Sequence, residues 1–377
     1  MMPNWLTPSE VWLQRMLHLL EPDLGAILAG DTKGSTSWQG RVRAVSLAQR
    51  SYSAILYGIL KNKKRMPGPN AIVLREVERP AITHILCHYG AFAVNFLDVW
   101  RACQKPLFVH FHGFDATFDI RRDDQPEVRH HAGDYLDRVQ ELAQYATFIA
   151  NSEFTRAQLQ DAGIPAGRIV VKYFGVPLPT RGKTHTPHEA LHIVQLGRLV
   201  DFKSPDRTIQ AFEQVRAQGI AAQLTLAGDG PLRITCELLK ARSPYKDSIH
   251  LPGAVSPEQA QDLLADADIY TQHNIEGEVT RQSEAFGVSV LEAMAHSLPV
   301  VATRNGGVME TVVDKETGYL GTPGSVEEQA GAIIRLAQDA SLRQQLGQAG
   351  RKRVETCFNL DAENRRLREI MNLRPLS

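Results

Sequence analysis

The chain has 377 residues, of which 43% are hydrophobic, and this is enough for two domains with sizeable cores. It carries 42 Lys and Arg against 42 Asp and Glu, so a general nucleic-acid-binding protein, which normally shows a basic excess, is disfavoured. The four scattered cysteines favour a reducing cytoplasm over a disulfide framework, and we expect neither a signal peptide nor a membrane span, because no apolar run approaches about 18 residues.

Residues 41–66, RVRAVSLAQRSYSAILYGILKNKKRM, combine apolar and basic side chains near the start of the chain. The simpler interpretation is an ordinary amphipathic helix packed on a sheet. A second hypothesis is a peripheral contact with an anionic bilayer, in which the lysines and arginines face lipid headgroups.

Apolar runs alternate with helical stretches as far as residue 176. The predicted strands are AITHIL, LFVHF, FIAN and RIVVKY. His112 follows the second of these runs and precedes a glycine, as expected for a functional side chain at a strand end. A histidine in such a place is more often structural, and the same holds for His88 and His110.

The segment 176–190, VPLPTRGKTHTPHEA, is rich in Pro and Thr and predicts a linker. After it the alternation resumes with LHIVQL, QLTLAG, SIHLPG, DIYTQH and LPVVAT. Alternating strands and helices imply parallel sheets with right-handed crossovers. The sequence therefore predicts an α/β protein with an N-terminal domain over 1–175, a second domain over 191–350 and a C-terminal helix over 351–377.

In the second half, IVQLGRLVDFK at 193–203 ends a buried strand at Gly197 and then supplies Arg198 and Lys203. Ligands of open α/β folds bind at the carboxyl edge of the sheet, and these two cations suit a phosphate there. The alternative is a solvated pair of cations beside Asp201.

Residues 284–296, EAFGVSVLEAMAH, carry Glu284 and Glu292 on either side of Gly287. Eight residues at 3.6 per turn would leave the two carboxylates about 80° apart on one helix, so we expect a turn at Gly287 and a helix that starts near Ser289. Its first turn suits phosphate, and the carboxylates suit sugar or ribose hydroxyls. A capping box formed by Ser289 and Glu292 is the competing interpretation.

Asp266-Ala-Asp268 has the spacing of a metal-binding pair, but its surroundings read as a helix end that leads into a buried strand. We therefore expect a structural role for these aspartates.

In the second half, these motifs together resemble the retaining glycosyltransferases of family 4, which have the GT-B fold: two Rossmann-like doubly wound domains that face each other across a cleft. The resemblance implies that Arg198 and Lys203, next to Gly197, bind the donor diphosphate, and that the C-terminal helix crosses back to the first domain. Glu284 and the backbone at Phe286, Gly287 and Val288 would hold the sugar and phosphate. Glu292 would bind the ribose, and the backbone of Val255 would meet the base.

The N-terminal half resembles the family more loosely, through HILCHYG at 84–90 and FVHFHGFD at 108–115. By position, His112 would be the active-site histidine beside the donor sugar. Two departures stand out. The first β-strand of the family is missing or reduced to a few residues, and Met309 replaces a usual proline after the pair Gly306 and Gly307.

The resemblance implies transfer of a hexose, with retention, from a UDP- or GDP-sugar to a saccharide or lipid-linked hydroxyl. No cofactor and no metal is expected, because cations of the protein would offset the charge of the leaving diphosphate. A sugar-nucleotide epimerase, a phosphorylase and an inactive sugar-nucleotide-binding subunit are the alternatives. The sequence leaves the donor, the acceptor and the oligomeric state open.

Overall fold

A computed structural model describes residues 1–5, 11–48, 68–117, 131, 133–179 and 189–374. The chain forms two compact units, one made of residues 1–172 with 364–377 and the other of residues 173–363. Within these described residues, the first unit contains two sheets and the second contains one, and in both units the strands are mostly parallel and alternate with helices. This confirms the predicted α/β class.

The first unit contains seven strands and seven helices among its described residues up to 172. The strands are β1 (Ala26–Ala29), β2 (Ser37–Trp38), β3 (Val42–Ser46), β4 (Ile85–His88), β5 (Leu107–His110), β6 (Ala146–Ala150) and β7 (Ile169–Val171). The helices are α1 (Val11–Leu20), α2 (Gly68–Val77), α3 (Gly90–Ala93), α4 (Leu97–Ala102), α5 (Phe114–Thr117), α6 (Tyr135–Leu142) and α7 (Glu153–Asp161).

Two residues at the start of the chain connect the two sheets of this unit, which have the orders β1-β3-β2 and β4-β5-β6-β7. The amide of Met2 donates to Leu28 O at 3.0 Å, and the amide of His88 donates to Met1 O at 2.8 Å. Residues 1 and 2 therefore lie between β1 and β4, in the place of a first strand. Of the two expected outcomes, a missing strand or one reduced to a few residues, the structure has the second, in which Met2 forms a parallel bridge with Ala29. With this segment in place, the strands follow the doubly wound order.

The interpretation of 41–66 as one amphipathic helix is wrong for its first part. Residues 42–46 form β3, in which only Arg43 is exposed, as expected for a strand covered on both faces. Val42 and Val45 are buried against β1 and its neighbours, whereas Arg43 points outward. Residues 49–66, which carry the basic cluster of the bilayer hypothesis, lie outside the described residues.

In the part of the second unit that the structure describes there are six strands, which are β8 (Leu191–Leu196), β9 (Ala222–Ala227), β10 (Ile249–Gly253), β11 (Ile269–Thr271), β12 (Val300–Thr303) and β13 (Gly318–Gly321). Its helices are α8 (Pro205–Ala217), α9 (Arg233–Arg242), α10 (Pro257–Asp266), α11 (Val288–Ala295), α12 (Val308–Thr311), α13 (Val326–Gln338) and α14 (Ala340–Cys357). A last helix, α15 (Leu360–Ile370), continues into the first unit.

All six strands of the second unit are parallel, in the order β10-β9-β8-β11-β12-β13. In chain order this is 3-2-1-4-5-6, the Rossmann arrangement, in which the direction of winding reverses between the first and fourth strands. The reversal here lies between β8 and β11. Ligands of such sheets bind beside the carboxyl ends of those two strands.

The core of this unit is apolar and continuous beneath α8 and α13, with Phe212, Leu224 and Ile333 at most 1% exposed. The predicted helix over 351–377 is two helices. It is interrupted at Phe358 and Asn359, where the side-chain oxygen of Asn359 accepts from the amide of Ala362 at 2.8 Å and caps α15. Among the described residues, no helix is both long enough and apolar enough to cross a bilayer.

Candidate active site

Arg198 lies directly beyond β8, as the sequence predicts. Gly197 ends the strand with φ +140°, and its amide donates to Ala227 O at 3.0 Å. A Cβ at Gly228 would stand 1.8 Å from Gly197 O, so only a glycine allows the two strand ends to come this close. Arg198 is exposed at this edge, with its guanidinium carbon 5.8 Å from the centre of the Phe202 ring.

Lys203 and Glu284 form a direct ion pair. The Lys203 ammonium donates to Glu284 Oε2 at 2.6 Å, and the two side chains are 12% and 13% exposed. Burial by itself would raise the pKa of Glu284, but the charge and hydrogen bond of Lys203, the Gln272 amide and the charge of Arg198 together hold that pKa below its ordinary value. Glu284 is therefore ionised at neutral pH.

A buried polar network joins this ion pair to α11. Gln272 follows β11, and its amide nitrogen donates to Glu284 Oε2 at 3.2 Å. Its amide oxygen accepts from Tyr270 Oη at 2.9 Å and from Ser289 Oγ at 3.2 Å. Because Ser289 lies in the first turn of α11, an unbroken set of hydrogen bonds runs from Lys203 to the N-terminus of that helix.

The pair Gly306 and Gly307 fixes the backbone beside Glu284. A Cβ at Gly306 would lie 2.0 Å from Glu284 O, and a Cβ at Gly307 would lie 2.1 Å from Ala285 O. The amide of Gly307 donates to Glu284 O at 2.8 Å. The glycines that the sequence places after β12 thus allow a close backbone approach that a side chain would prevent.

The helix α11 begins at Val288, one residue before the predicted start, and its N-cap is Gly287 with φ +86°. Since Ser289 lies inside the helix and bonds to Gln272, the alternative capping box of Ser289 and Glu292 is wrong. The first turn of α11 presents amides without intrahelical partners and the positive end of its dipole, which suits an anion.

The Phe286 side chain is structural. It is 2% exposed and packs against Tyr173, Phe174 and Phe358, at ring-centre distances of 5.5, 6.0 and 5.9 Å. The ligand contact that the resemblance implies for the backbone at Phe286 stays a prediction. This aromatic cluster anchors the turn that carries Glu284.

Both carboxylates of the motif act electrostatically on Tyr270. Burial raises the pKa of the Tyr270 phenol, and the charges of Glu284 and Glu292 raise it further. Val255 lies just after β10 and lines a surface concavity together with His250, Gln259 and Lys240. The roles predicted for Glu292 and Val255 stay predictions.

Asp201 organises the segment that carries Lys203, a role that the sequence analysis missed. Its carboxylate accepts from the amides of Phe202, Val279 and Thr280 at 2.8, 3.0 and 2.8 Å, and from the Thr280 hydroxyl at 2.8 Å. It therefore ties the loop after β8 to the loop that leads to Glu284. The acid between Arg198 and Lys203 was the available signal, but it was interpreted only as a surface partner of those cations.

Asp266 and Asp268 have the structural role that we expect from the sequence. Asp268 Oδ2 accepts from the His192 amide at 3.0 Å, and Asp266 Oδ2 lies 3.0 Å from His192 Nδ1. Both join the end of α10 to the start of β8, which is a structural role.

In the first unit, His112 lies in a cluster of aromatic and imidazole rings at the carboxyl ends of β4 and β5. His88 Nδ1 and His112 Nε2 are 3.1 Å apart, so one ring donates to the other. Trp12 stacks on His112 with a ring-centre distance of 4.1 Å, and His110 lies 4.3 Å away. Burial lowers the pKa of all three histidines well below the ordinary value, and the charge of Lys172 adds to this effect.

Asp115 sets the backbone of this cluster. Its carboxylate accepts from the amides of His112, Gly113 and Gly90 at 2.8, 3.1 and 2.8 Å. Burial raises the pKa of Asp115 to about 6, although the three amides oppose the shift. The residue before Gly90, Tyr89, adopts φ +68°, so the β4 loop is held in an unusual conformation.

Protein-family models match both halves of the chain. A family model described as Glycosyl transferases group 1 matches residues 179–353, and one described as Glycosyltransferase Family 4 matches residues 36–178. Together they span both units.

The relatives that match are glycosyltransferases. The amylovoran biosynthesis glycosyltransferase AmsK of Erwinia amylovora is 27% identical over 94% of this chain and 85% of that protein. A GDP-mannose-dependent phosphatidylinositol monomannoside mannosyltransferase of Mycobacterium tuberculosis is 27% identical over 63% of each chain. The structure of Anabaena HepE with UDP and glucose superposes with a TM-score of 0.78 at 19% identity over 98% of both chains.

Proposed function

The chain belongs to glycosyltransferase family 4, with the GT-B fold, and from this premise we propose that it moves a hexose from a nucleoside-diphosphate sugar to an acceptor hydroxyl with retention at the anomeric carbon. The observation that carries the proposal is the hydrogen-bonded connection from Lys203 through Glu284 and Gln272 to the first turn of α11. It gathers one ammonium, one carboxylate and a helix N-terminus at the switch point of a Rossmann sheet.

The diphosphate would lie between Arg198, Lys203 and α11. Negative charge grows on the leaving diphosphate as the bond to the sugar breaks. Preorganised donors aimed at such charge contribute about 3–4 kcal/mol each in comparable oxyanion sites. Arg198 is exposed beside β8 and free to turn its guanidinium toward a phosphate. The protein's own cations and amides would offset the charge, so we propose that no metal ion is needed at the diphosphate.

Glu284 would bind a sugar hydroxyl. Its carboxylate remains ionised, and it accepts from Lys203 and Gln272 through one oxygen, Oε2. The other oxygen is then available to accept from a hydroxyl. We assign Glu284 no nucleophilic role, because its pairing with Lys203 reduces its basicity. In the front-face mechanism implied by the family, a leaving phosphate oxygen accepts the proton of the attacking hydroxyl.

For the remaining positions, the proposal follows the family. Glu292 would accept from the ribose hydroxyls, Val255 would contact the base through its backbone, and His112 would position the donor sugar. The half-buried, neutral imidazole of His112 suits an uncharged hydroxyl better than a phosphate.

We further propose a role in the synthesis of a cell-surface polysaccharide or glycolipid, with a saccharide or lipid-linked acceptor. The similarity to AmsK over 94% of this chain supports a polysaccharide product. The similarity to the mannosyltransferase supports a glycolipid product. HepE binds UDP, whereas the mannosyltransferase depends on GDP-mannose, so both nucleotides belong in the test.

The test is a donor screen followed by product analysis. Thermal shift with UDP-glucose, UDP-galactose, UDP-GlcNAc and GDP-mannose should identify one donor that stabilises the protein. NMR of the product formed with that donor should show the anomeric configuration of the donor retained. An epimerised sugar nucleotide, a requirement for inorganic phosphate, or no stabilisation by any donor would contradict the proposal.

A further inference from the structure

We propose that His88, His110 and His112 form a binding site for a transition-metal ion of the Zn²⁺ class. One ring nitrogen from each of the three residues lies within 4.8 Å of the others. The closest pair, His88 Nδ1 and His112 Nε2, is 3.1 Å apart. Two imidazole nitrogens on one tetrahedral Zn²⁺, at 2.0–2.1 Å from the metal, are separated by roughly 3.3 Å.

The backbone sets this arrangement in advance. His88 and His110 are register partners in the parallel pair β4 and β5, so their side chains project from neighbouring positions on one face. His112 lies two residues beyond His110, and Asp115 fixes its amide. A metal ion would therefore need small side-chain movements and no refolding.

The chemistry of the cluster selects among metals. Three imidazoles suit Zn²⁺, Cu²⁺, Ni²⁺ and Co²⁺, whereas Mg²⁺ and Ca²⁺ prefer oxygen ligands. Two features of the surroundings affect the affinity. His88 and His110 are only 3% and 0% exposed, which shields the ligands from water. Lys172 is also buried nearby and its charge opposes a cation, so we expect the fourth position to take an anion such as hydroxide or chloride.

The three histidines belong to the first compact unit, whereas the residues of the proposed diphosphate site belong to the second. A metal ion held by His112 through Nε2, the ring nitrogen that contacts His88, would keep that nitrogen from a substrate. Zn²⁺ should therefore inhibit transfer while it stabilises the first unit. Metal binding itself does not depend on the proposed function and is measured without donor.

The test uses the full chain, stripped with a chelator and dialysed. Isothermal titration with Zn²⁺ should give one site per chain, Co²⁺ should produce the visible absorption of a tetrahedral complex, and Mg²⁺ should give no heat. His88→Asn and His110→Asn should each weaken Zn²⁺ binding by about tenfold or more. His84→Asn, four residues before His88 and outside the cluster, is the matched control and should bind normally.

A second readout covers the case in which a buried variant fails to fold. Zn²⁺ should raise the Tm of the wild-type chain, and half-buried His112→Asn should abolish that rise. Absence of one-to-one binding by the wild type overturns the proposal. Binding that survives all three substitutions also overturns it, because the ion would then lie elsewhere, for example at His192 and Asp266.

Discussion

The two units place polar side chains at the same position in their sheets, at the carboxyl ends of the strands next to the switch point, but with opposite electrostatics. In the second unit, Glu284 is paired with Lys203, and its pKa is held below the ordinary value. In the first unit, His88, His110 and His112 are driven to the neutral form by burial. The same topology can therefore build a charged edge, which we propose binds a diphosphate, and a neutral edge, which we propose binds hydroxyls.

Among the tests of this contrast, Lys203→Ala should have the largest effect, because it removes a cation from the charged edge of the second unit. We expect kcat to fall by about 10²–10³-fold, as for loss of one oxyanion donor, because Glu284 is also left without its partner. Steady-state kinetics with the identified donor measures the effect, and Arg198→Ala should also lose most turnover. Exposed Lys246→Ala is the control. Near-normal turnover in Lys203→Ala would remove the diphosphate assignment.

The neutral edge can be tested by pH. The folded pKa of Asp115, about 6, exceeds its ordinary value of 3.8, so the folded chain holds a proton that the unfolded chain releases. Stability should therefore fall as pH rises from about 4 to about 6, by up to about 3 kcal/mol from this group.

The measurement is urea unfolding of wild type and Asp115→Asn across that pH range. The difference in unfolding free energy between the two proteins should change with pH only in this window. A constant difference would mean that the carboxyl of Asp115 titrates normally.

The third test concerns how the backbone fixes the charged edge. Gly306→Ala should cost about 2 kcal/mol more than Gly324→Ala, because overpacking is added to the same backbone strain. Both glycines have positive φ, of +56° and +90°, but only Gly306 has a close neighbour, Glu284 O. Thermal or urea unfolding compares the two variants. Equal destabilisation would show that the close approach relaxes easily.

The smallest expected effect is that of His112→Asn. Loss of one neutral hydrogen bond is worth about 1 kcal/mol, so kcat/KM should fall by roughly tenfold or less. Affinity for the nucleoside diphosphate alone should stay unchanged, which calorimetry can check. A fall as large as that for Lys203→Ala would contradict the division into a charged and a neutral edge.

The strands around the charged edge were predictable because they are apolar runs that end in glycines, as at Leu196-Gly197 and Ala227-Gly228. The strands before residue 47 could not be predicted in this way. They are two to five residues long, and the alternation around Val42 was obscured by the apolar and basic residues that follow.

Pairings between distant residues also escaped prediction. Lys203 and Glu284 are 81 positions apart, and the sequence does not indicate which opposite charges will meet. Gln272 offered a signal, since an amide directly after a buried strand needs partners, but the identity of those partners depends on how β8, β11 and α11 pack. The positions of functional groups were therefore more predictable than their contacts.

The two-residue link between β1 and β4 has a consequence for motion in the first unit. Trp12 follows the link in the chain, whereas His112 lies two residues after β5. Residues 1 and 2 are held to the two sheets by few backbone hydrogen bonds. We therefore expect this link to open locally at a lower free energy than the rest of the sheets. Each opening would lift the indole from the imidazole, so amide exchange at Met2 and His88 should report how often the histidine cluster meets solvent.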